Sequence, residues 1–214
     1  QAYSVAKAIA GKVQPQYVLL SNTETAEQTV ELLPALLPKD IQAPQYQVTL
    51  GEGTLIDQNN SKMEGNSYKF KLATSASDTK QVVTIKVTST NYDDVSIVIN
   101  VETTADKIPT VTVTPITYTY DGKALNKSLT TGSAVDATDD QVNVAGTFDW
   151  TAGAPTNVAD SGKYNVTFTP SKAGYATVKT VVDVTINKAD HENVTDKETA
   201  KQGEAYQLDF MKKF

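Results

Sequence analysis

A turn that leads directly into an alternating strand, between Asp160 and Phe168, is the feature that most constrains the fold of this chain. The run opens with Asp, Ser and Gly, which favour turns because their side chains bond nearby backbone or, for glycine, impose no steric limit. The following residues place Tyr164, Val166 and Phe168 on one face, with polar residues between them. This alternation predicts a half-buried β-strand entered through a tight turn.

The overall residue usage also favours strands. Threonine and valine, both branched at Cβ, account for 30 and 23 of the 214 residues, and this branching favours an extended backbone. With 39% hydrophobic and 21% charged residues, the chain has enough apolar surface to form a core. Its length suits two domains of roughly 100 residues each. We therefore predict an all-β fold with more than one domain.

The charged residues argue against one broad class of partner. All 19 basic residues are lysine, and the net charge is −6. Arginine supplies the planar fork that recognises phosphate and guanine, and nucleic-acid binders usually present a basic face. The sequence also lacks a run of roughly 20 apolar residues, the length that spans a bilayer. We expect neither a nucleic-acid surface nor membrane insertion.

Cysteine is absent from the sequence. A secreted animal domain of this size would be expected to carry a disulfide, whereas bacterial surface proteins commonly lack cysteine and are rich in lysine and threonine. The chain also begins at Gln1 without Met or a signal sequence, as a mature product or an excised segment would. These features predict an extracellular protein, secreted or on a bacterial cell surface. Cytosolic residence is the alternative.

Two strand-rich segments meet near residues 103–109, where polar residues gather and Pro109 stiffens the chain. We predict a first β-domain over residues 1–105 with an irregular N-terminal part, a second over 106–190, and a charged tail or the start of a further module over 191–214. The predicted strands cover residues 81–89, 95–101, 111–113, 116–120, 146–150 and 175–187.

Two further local patterns complete this prediction. The pair Asp121-Gly122 predicts a hairpin turn. Residues 25–37 contain helix formers together with Pro34, and Pro38 follows, which predicts a short helical turn or an irregular edge.

The ends of the two segments are alike. Tyr92 and Tyr175 are 83 residues apart, and an alternating strand follows each. A repeat of this length indicates tandem whole domains, since solenoid units are about 20 to 50 residues long.

Several short motifs carry a resemblance to a known family. They are Tyr120-Asp121-Gly122-Lys123, Gly146-Thr147-Phe148-Asp149-Trp150, Asp160-Ser161-Gly162-Lys163-Tyr164, Phe168-Thr169-Pro170 and Gly174-Tyr175. Through them, residues 116–190 resemble the Ig-like tandem repeats of bacterial surface proteins, especially adhesin-type repeats of Gram-positive gut bacteria. Residues 46–106 are similar to the neighbouring repeat type, through Asn91-Tyr92-Asp93-Asp94 and Asp106-Lys107.

The resemblance implies tandem Ig-like antiparallel β-sandwiches, with a β-grasp-like variant as the alternative for one module. It also implies a stalk or adhesive module of a long cell-wall-associated protein. In Ig domains a Tyr two residues before the second cysteine bonds back to the backbone. Here Val166 occupies the cysteine position, and Tyr164 is expected to be that structural corner residue.

Catalysis finds little support in the sequence. His191 is the only histidine and lies in the charged tail, and there is no thiol. We therefore predict that the chain is not an enzyme and has no catalytic, cofactor-binding or metal-binding residues. Paired carboxylates acting on glycosides would not be visible from sequence alone.

The sequence offers three candidates for a ligand site or a covalent modification: an acidic loop, an aromatic cluster and two asparagines. The loop with Asp136, Asp139 and Asp140 offers oxygen ligands suited to calcium, although solvated carboxylates are the favoured reading. Trp150, near Tyr118 and Tyr120, would form a sugar platform if exposed, although a core position is favoured. A Lys–Asn isopeptide bond needs a buried asparagine, and alternation predicts that the two candidates, Asn100 and Asn187, face solvent.

The predicted function is a non-catalytic structural or adhesive repeat region that acts as a stalk or spacer. Its partners would be neighbouring repeats of the same parent protein, and host or cell-wall glycan or protein. The alternatives are a carbohydrate- or host-protein-binding adhesin module, and an accessory domain of an extracellular polysaccharide-degrading enzyme.

Overall fold

The computed structural model describes residues 13–123, 125 and 132–189. The first half of the described chain contains seven strands: β1 (Gln16–Ser21), β2 (Gln28–Glu31), β3 (Gln45–Leu50), β4 (Ile56–Glu64), β5 (Ser67–Leu72), β6 (Lys80–Thr88) and β7 (Val95–Thr104). One sheet has the order β1-β7-β6-β3, and the other has the order β2-β5-β4. The third, sixth and seventh strands thus share a sheet, as in the Ig sandwich.

The alternation in β6 shows how the sequence produces this half. Val83, Ile85 and Val87 are buried, while the residues between them are exposed or half-buried. Their side chains join Tyr68 and Phe70 from the opposite sheet in one apolar cluster. Burial of each such side chain contributes about 1.5–3 kcal/mol, so the interior between the two sheets stabilises this half.

The second half repeats the plan with shorter strands. They are β8 (Thr110–Val113), β9 (Ile116–Thr119), β10 (Gly132–Asp136), β11 (Asp139–Asn143), β12 (Gly146–Trp150), β13 (Gly162–Pro170) and β14 (Val178–Asn187), with a 3₁₀ turn at Val158–Asp160. The sheet orders are β12-β13-β14-β9 and β11-β10-β8. Pro115 lies between β8 and β9, and because proline has no N–H to donate, the stretch changes sheets there.

Aromatic packing closes the second sandwich. The ring centroids of Phe148 and Phe168 are 4.9 Å apart, and Phe168 is 1% exposed. Gly146 lies against the Phe168 ring and the Thr169 carbonyl so closely that a Cβ would not fit without displacing them. A side-chain-free position is therefore needed where the edge strand β12 crosses the ring.

The all-β prediction, with tandem Ig-like sandwiches, is confirmed. In both halves the first strand of the larger sheet pairs in parallel with the last strand, β1 with β7 and β9 with β14. β7 and β14 are each 10 residues long and begin 83 residues apart, which confirms the predicted spacing. The β-grasp-like alternative is not supported, because the only helical element among the described residues is the 3₁₀ turn.

Two local predictions need correction. The hairpin predicted at Asp121-Gly122 is wrong, because the backbone of Leu125 bonds to Pro155 and Trp150 and not to β9, and the next described strand, β10, lies in the other sheet. Within residues 25–37 the short helical turn is confirmed, since the Leu36 and Leu37 amides both donate to the Leu32 carbonyl. The irregular N-terminal part predicted for the first domain is wrong, because β1 to β5 are regular strands there; β10 and β11 of the second half were also missed.

Among the described residues, none of the helical structure has the length or the apolar character needed to cross a bilayer. The tail predicted over residues 191–214 lies outside the described residues, and so does His191.

Candidate functional site

Tyr164 holds the corner between the 3₁₀ turn and β13. Its hydroxyl donates to the Asp160 carbonyl at 2.6 Å, and burial raises the pKa of the phenol. Ser161 adds two bonds to the same corner, because its hydroxyl donates to the Val158 carbonyl and accepts from the Ile186 amide. The predicted structural role of Tyr164 is therefore confirmed.

Trp150 is part of the apolar cluster and not an exposed platform. Its indole is half-buried and meets the Tyr164 ring edge to face, with centroids 6.0 Å apart. The indole Nε1 donates to the Leu125 carbonyl at 3.0 Å. The favoured core position is thus confirmed, and with it the shared face of Trp150 and Phe148 on β12.

Asp136 belongs to a hydrogen-bonded node at the junction of the two halves. The residue is 5% exposed. Its Oδ1 accepts from the Thr138 amide and hydroxyl at 2.9 and 2.6 Å, and its Oδ2 accepts from the Tyr175 hydroxyl at 2.7 Å and Lys107 Nζ at 3.1 Å. Four protein donors thus surround the two oxygens, which disfavours calcium there. No three His, Cys, Asp or Glu side chains of the described residues gather as a metal site.

The charges of this node depend on each other. Hydrogen bonds from Thr138, and then from Tyr175 and Lys107, lower the pKa of Asp136 well below its ordinary value. The bond to Asp136 raises the pKa of Lys107 and that of Tyr175. Backbone bonds from Lys107 to Gly174 at 3.0 Å and from Ala176 to Lys107 at 2.8 Å reinforce the contact. The chain is thus fastened to the second half from Lys107 onward.

The asparagines considered for an isopeptide bond occupy different surroundings. Asn187 is exposed at the end of β14, as predicted. The prediction for Asn100 is wrong, because this residue is half-buried and its Nδ2 donates to the Gln16 carbonyl at 3.2 Å. Alternation gave the correct face of β7, but on that face the side chain bonds to the backbone of the neighbouring strand β1.

A polar cleft of about 660 Å³ opens at one end of the first sandwich. We call it the loop-end cleft; its walls come from residues 22–25, 55–60 and 71–79. Glu24, Asp57, Asp78 and the half-buried Lys71 are its charged residues. The cleft therefore presents both acidic and basic side chains, and its lining contains no aromatic ring.

The walls of the loop-end cleft are held by side chains that sequence reasoning did not single out. Gln81 is 3% exposed, accepts from the Ile56 amide at 2.8 Å, and donates to the Gly51 and Gly53 carbonyls at 2.9 and 3.1 Å. Asp78 accepts from the amide and the hydroxyl of Thr54, both at 2.8 Å. Gln81 lies two residues before the buried Val83, so the alternation of β6 places both side chains on the inner face. This period was the signal in the sequence that Gln81 is buried.

Comparison with known proteins gives structural likeness only. No protein-family profile matches the sequence, and no characterised protein does. Solved structures with a similar arrangement include a chimeric titin Z1Z2, at 10% identity over 86% of this chain and 99% of that one, with a TM-score of 0.29. The insect immune protein hemolin is 14% identical over 94% of this chain and 56% of its own, with a TM-score of 0.32.

The four N-terminal Ig domains of Dscam1 are 13% identical over 87% of this chain and 47% of theirs, with a TM-score of 0.32. This chain therefore spans about half the length of hemolin and of that Dscam1 fragment. Scores of this size carry no argument about function. The Ig-like assignment rests on strand order and on the Tyr164 corner.

Proposed function

We propose that the chain is a non-catalytic structural or adhesive segment of an exported bacterial cell-surface protein, acting as a spacer between other parts of its parent. The supporting observation is that, in the larger sheet of each half, the strand that comes first in the chain pairs in parallel with the last strand of that half. β1 aligns with β7 from Gln16 opposite Ile99 to Ser21 opposite Thr104. β9 aligns with β14 from Ile116 opposite Val184 to Thr119 opposite Asn187.

This pairing suits a module that carries tension. The chain enters the first sandwich at the start of β1 and leaves it at the end of β7. In the second sandwich β8, paired with β10, comes before β9, and the chain leaves at the end of β14. Because the two strands run parallel, pulling on the two ends slides one along the other and loads all the bonds between them together. An antiparallel terminal pair would open one bond at a time, starting from the end. Parallel terminal strands therefore favour a load-bearing role.

We further propose two domains, with the boundary between β7 and Lys107, close to the predicted division at residues 105 and 106. One apolar cluster is built from residues 13–101 and the others from residues 111–186, and no residue is shared across the division. The most conspicuous side chains, Trp150, Tyr164 and Asp136, are engaged in holding the second half together. This engagement supports a role without catalysis.

Stretching single molecules of the full chain tests the proposal. Each domain has roughly 80–90 residues, so its unfolding should lengthen the chain by about 250–300 Å at roughly 3.3–3.6 Å per residue. Two such steps are expected, each at a force well above that of a sandwich pulled apart strand by strand. A single step of about twice this length would contradict the two-domain spacer.

A second candidate function is binding of glycan or protein, as an adhesin module or as an accessory domain of a polysaccharide-degrading enzyme. The loop-end cleft favours it, because concave sites with a few placed polar groups are the usual ligand positions. Titration of the isotope-labelled chain with cell-wall or host glycan fragments should shift the amide signals of residues 71–79. Shifts around Trp150 instead would place binding elsewhere.

A further inference from the structure

The segment Gln14–Tyr17 leads into β1 of the first half and also contacts the second half. Three successive carbonyls in it accept from side-chain amides. The Gln14 carbonyl accepts from Gln16 Nε2 at 2.7 Å, the Pro15 carbonyl from Asn165 Nδ2 at 2.8 Å, and the Gln16 carbonyl from Asn100 Nδ2 at 3.2 Å. Asn100 belongs to β7 of the first half and Asn165 to β13 of the second. The Gln16 bond thus lies within the sheet of the first half, whereas the Pro15 bond reaches the second half.

The burial of Asn165 shows that this contact is close. Asn165 alternates with the inward-facing Tyr164 and Val166, so its side chain lies on the outer face of the β13 sheet, where a strand of one sandwich normally meets water. It is nevertheless only 6% exposed, whereas Lys163 on the same face is exposed. Asn165 and its acceptor, Pro15, are 150 positions apart in sequence. The segment around Pro15 therefore covers this part of the second half.

A second contact lies one strand further along the interface. The ammonium of Lys179 on β14 lies 4.5 Å from the centre of the Tyr17 ring on β1, within the range of a cation–π interaction. A narrow cavity beside it is lined by Tyr17, Asn100 and Glu102 from the first half and by Thr177 and Lys179 from the second. A hydrogen bond on β13 and a ring contact on β14 thus join two strands of one sheet to the same short segment.

We propose that residues 14–17 form an interdomain clasp that fixes the second half against the β1 edge of the first. The orientation of the two halves is then set at two places. The linker between β7 and β8 is bonded to the second half through Lys107. The clasp joins residues 14–17 to β13 and β14. The pair consequently moves as one body. This inference stands whether or not the chain serves as a spacer, since it concerns only how the two halves are held.

Pulsed electron paramagnetic resonance on the full chain tests the clasp. Because the sequence has no cysteine, Gln47→Cys and Val142→Cys place one spin label on each half, at exposed positions outside the contact. The parent pair should give a single narrow distance distribution. Adding Tyr17→Ala and Asn165→Ala should remove the narrow peak and leave a broad distribution.

Matched controls separate the clasp from general loosening. Asn187→Ala and Tyr120→Ala remove an exposed asparagine and an exposed tyrosine of the second half and should keep the narrow peak. Lys179→Met retains the aliphatic stem and removes the charge, so it should broaden the peak even if the double variant fails to fold. Trp150 emission reports whether the second half is folded. A broad parent distribution, or a narrow one that survives both the double variant and Lys179→Met, would overturn the proposal.

Discussion

Replacing Tyr164 with phenylalanine removes a single oxygen from the corner of the second sandwich. The hydroxyl makes one bond, to the Asp160 carbonyl at 2.6 Å. The ring would keep its edge-to-face contact with Trp150. The variant therefore isolates the bond that joins the 3₁₀ turn to β13.

The expected loss follows from what the hydroxyl leaves behind. A hydrogen bond contributes about 0.5–1.5 kcal/mol net, and a buried group left without a partner costs about 1–3 kcal/mol. Because the Tyr164 side chain is half-buried, water reaches the freed carbonyl in part, and we expect a loss of about 1–2 kcal/mol. In a domain of this size that lowers the melting temperature by about 5–10 °C.

Urea unfolding followed by tryptophan fluorescence measures this loss in the second half alone, because Trp150 is the only tryptophan. With a slope of about 1 kcal/mol per M, the midpoint should fall by roughly 1–2 M. Tyr118→Phe is the matched control, since its hydroxyl lies 3.4 Å from the Thr156 carbonyl, beyond the usual bond length. Equal midpoints for the two variants would refute the corner role of Tyr164.

Four further substitutions probe the other contacts. Phe168→Ala should cost about 3–5 kcal/mol and unfold the second half while far-UV circular dichroism retains the first. Gly146→Ala should cost about 1–3 kcal/mol through overpacking, seen as a lower Trp150 midpoint. Gln81→Ala should destabilise only the first half, by about 1–3 kcal/mol, seen in circular dichroism and not in fluorescence. Asp136→Asn should lower the midpoint at pH 7. Because the pKa of Asp136 is lowered on folding, the stabilisation by its carboxylate is complete above the unfolded pKa of about 3.9 and is lost as the pH falls toward the folded pKa. A difference in midpoint between the parent and Asp136→Asn that stayed constant down to pH 2 would contradict this.

The strands were predictable where one face meets water and the other does not. β6 alternates along its whole length, and β7 and β14 alternate at Ile97, Ile99 and Val101 and at Val182, Val184 and Ile186. β2 and β11 have four and five residues, whereas β3 alternates between exposed and half-buried residues without any fully buried side chain. The hairpin error at Asp121-Gly122 has another origin. A turn motif fixes the local bend, but not which strand the chain pairs with next.

The roles of single residues were predictable when they depend on local geometry. Tyr164 bonds a carbonyl four residues away, so the sequence motif contains both partners. Asp136 meets Tyr175 across 39 residues and Lys107 across 29. Such partners become neighbours only once the sheets have formed, so the sequence predicted solvated carboxylates, with calcium as the alternative, and could not show the hydrogen-bonded node.

Asn165 extends this reasoning to the contact between the two halves. Alternation places it on the outer face of its sheet, which in an isolated sandwich would be wet. Its side chain donates instead to the Pro15 carbonyl. Asparagine suits this position because its amide donates to a backbone carbonyl of any residue. A valine there would leave that carbonyl without the bond, and a lysine would carry its charge into the contact. An outward asparagine in the middle of a long strand thus joins the two halves through a neutral hydrogen bond.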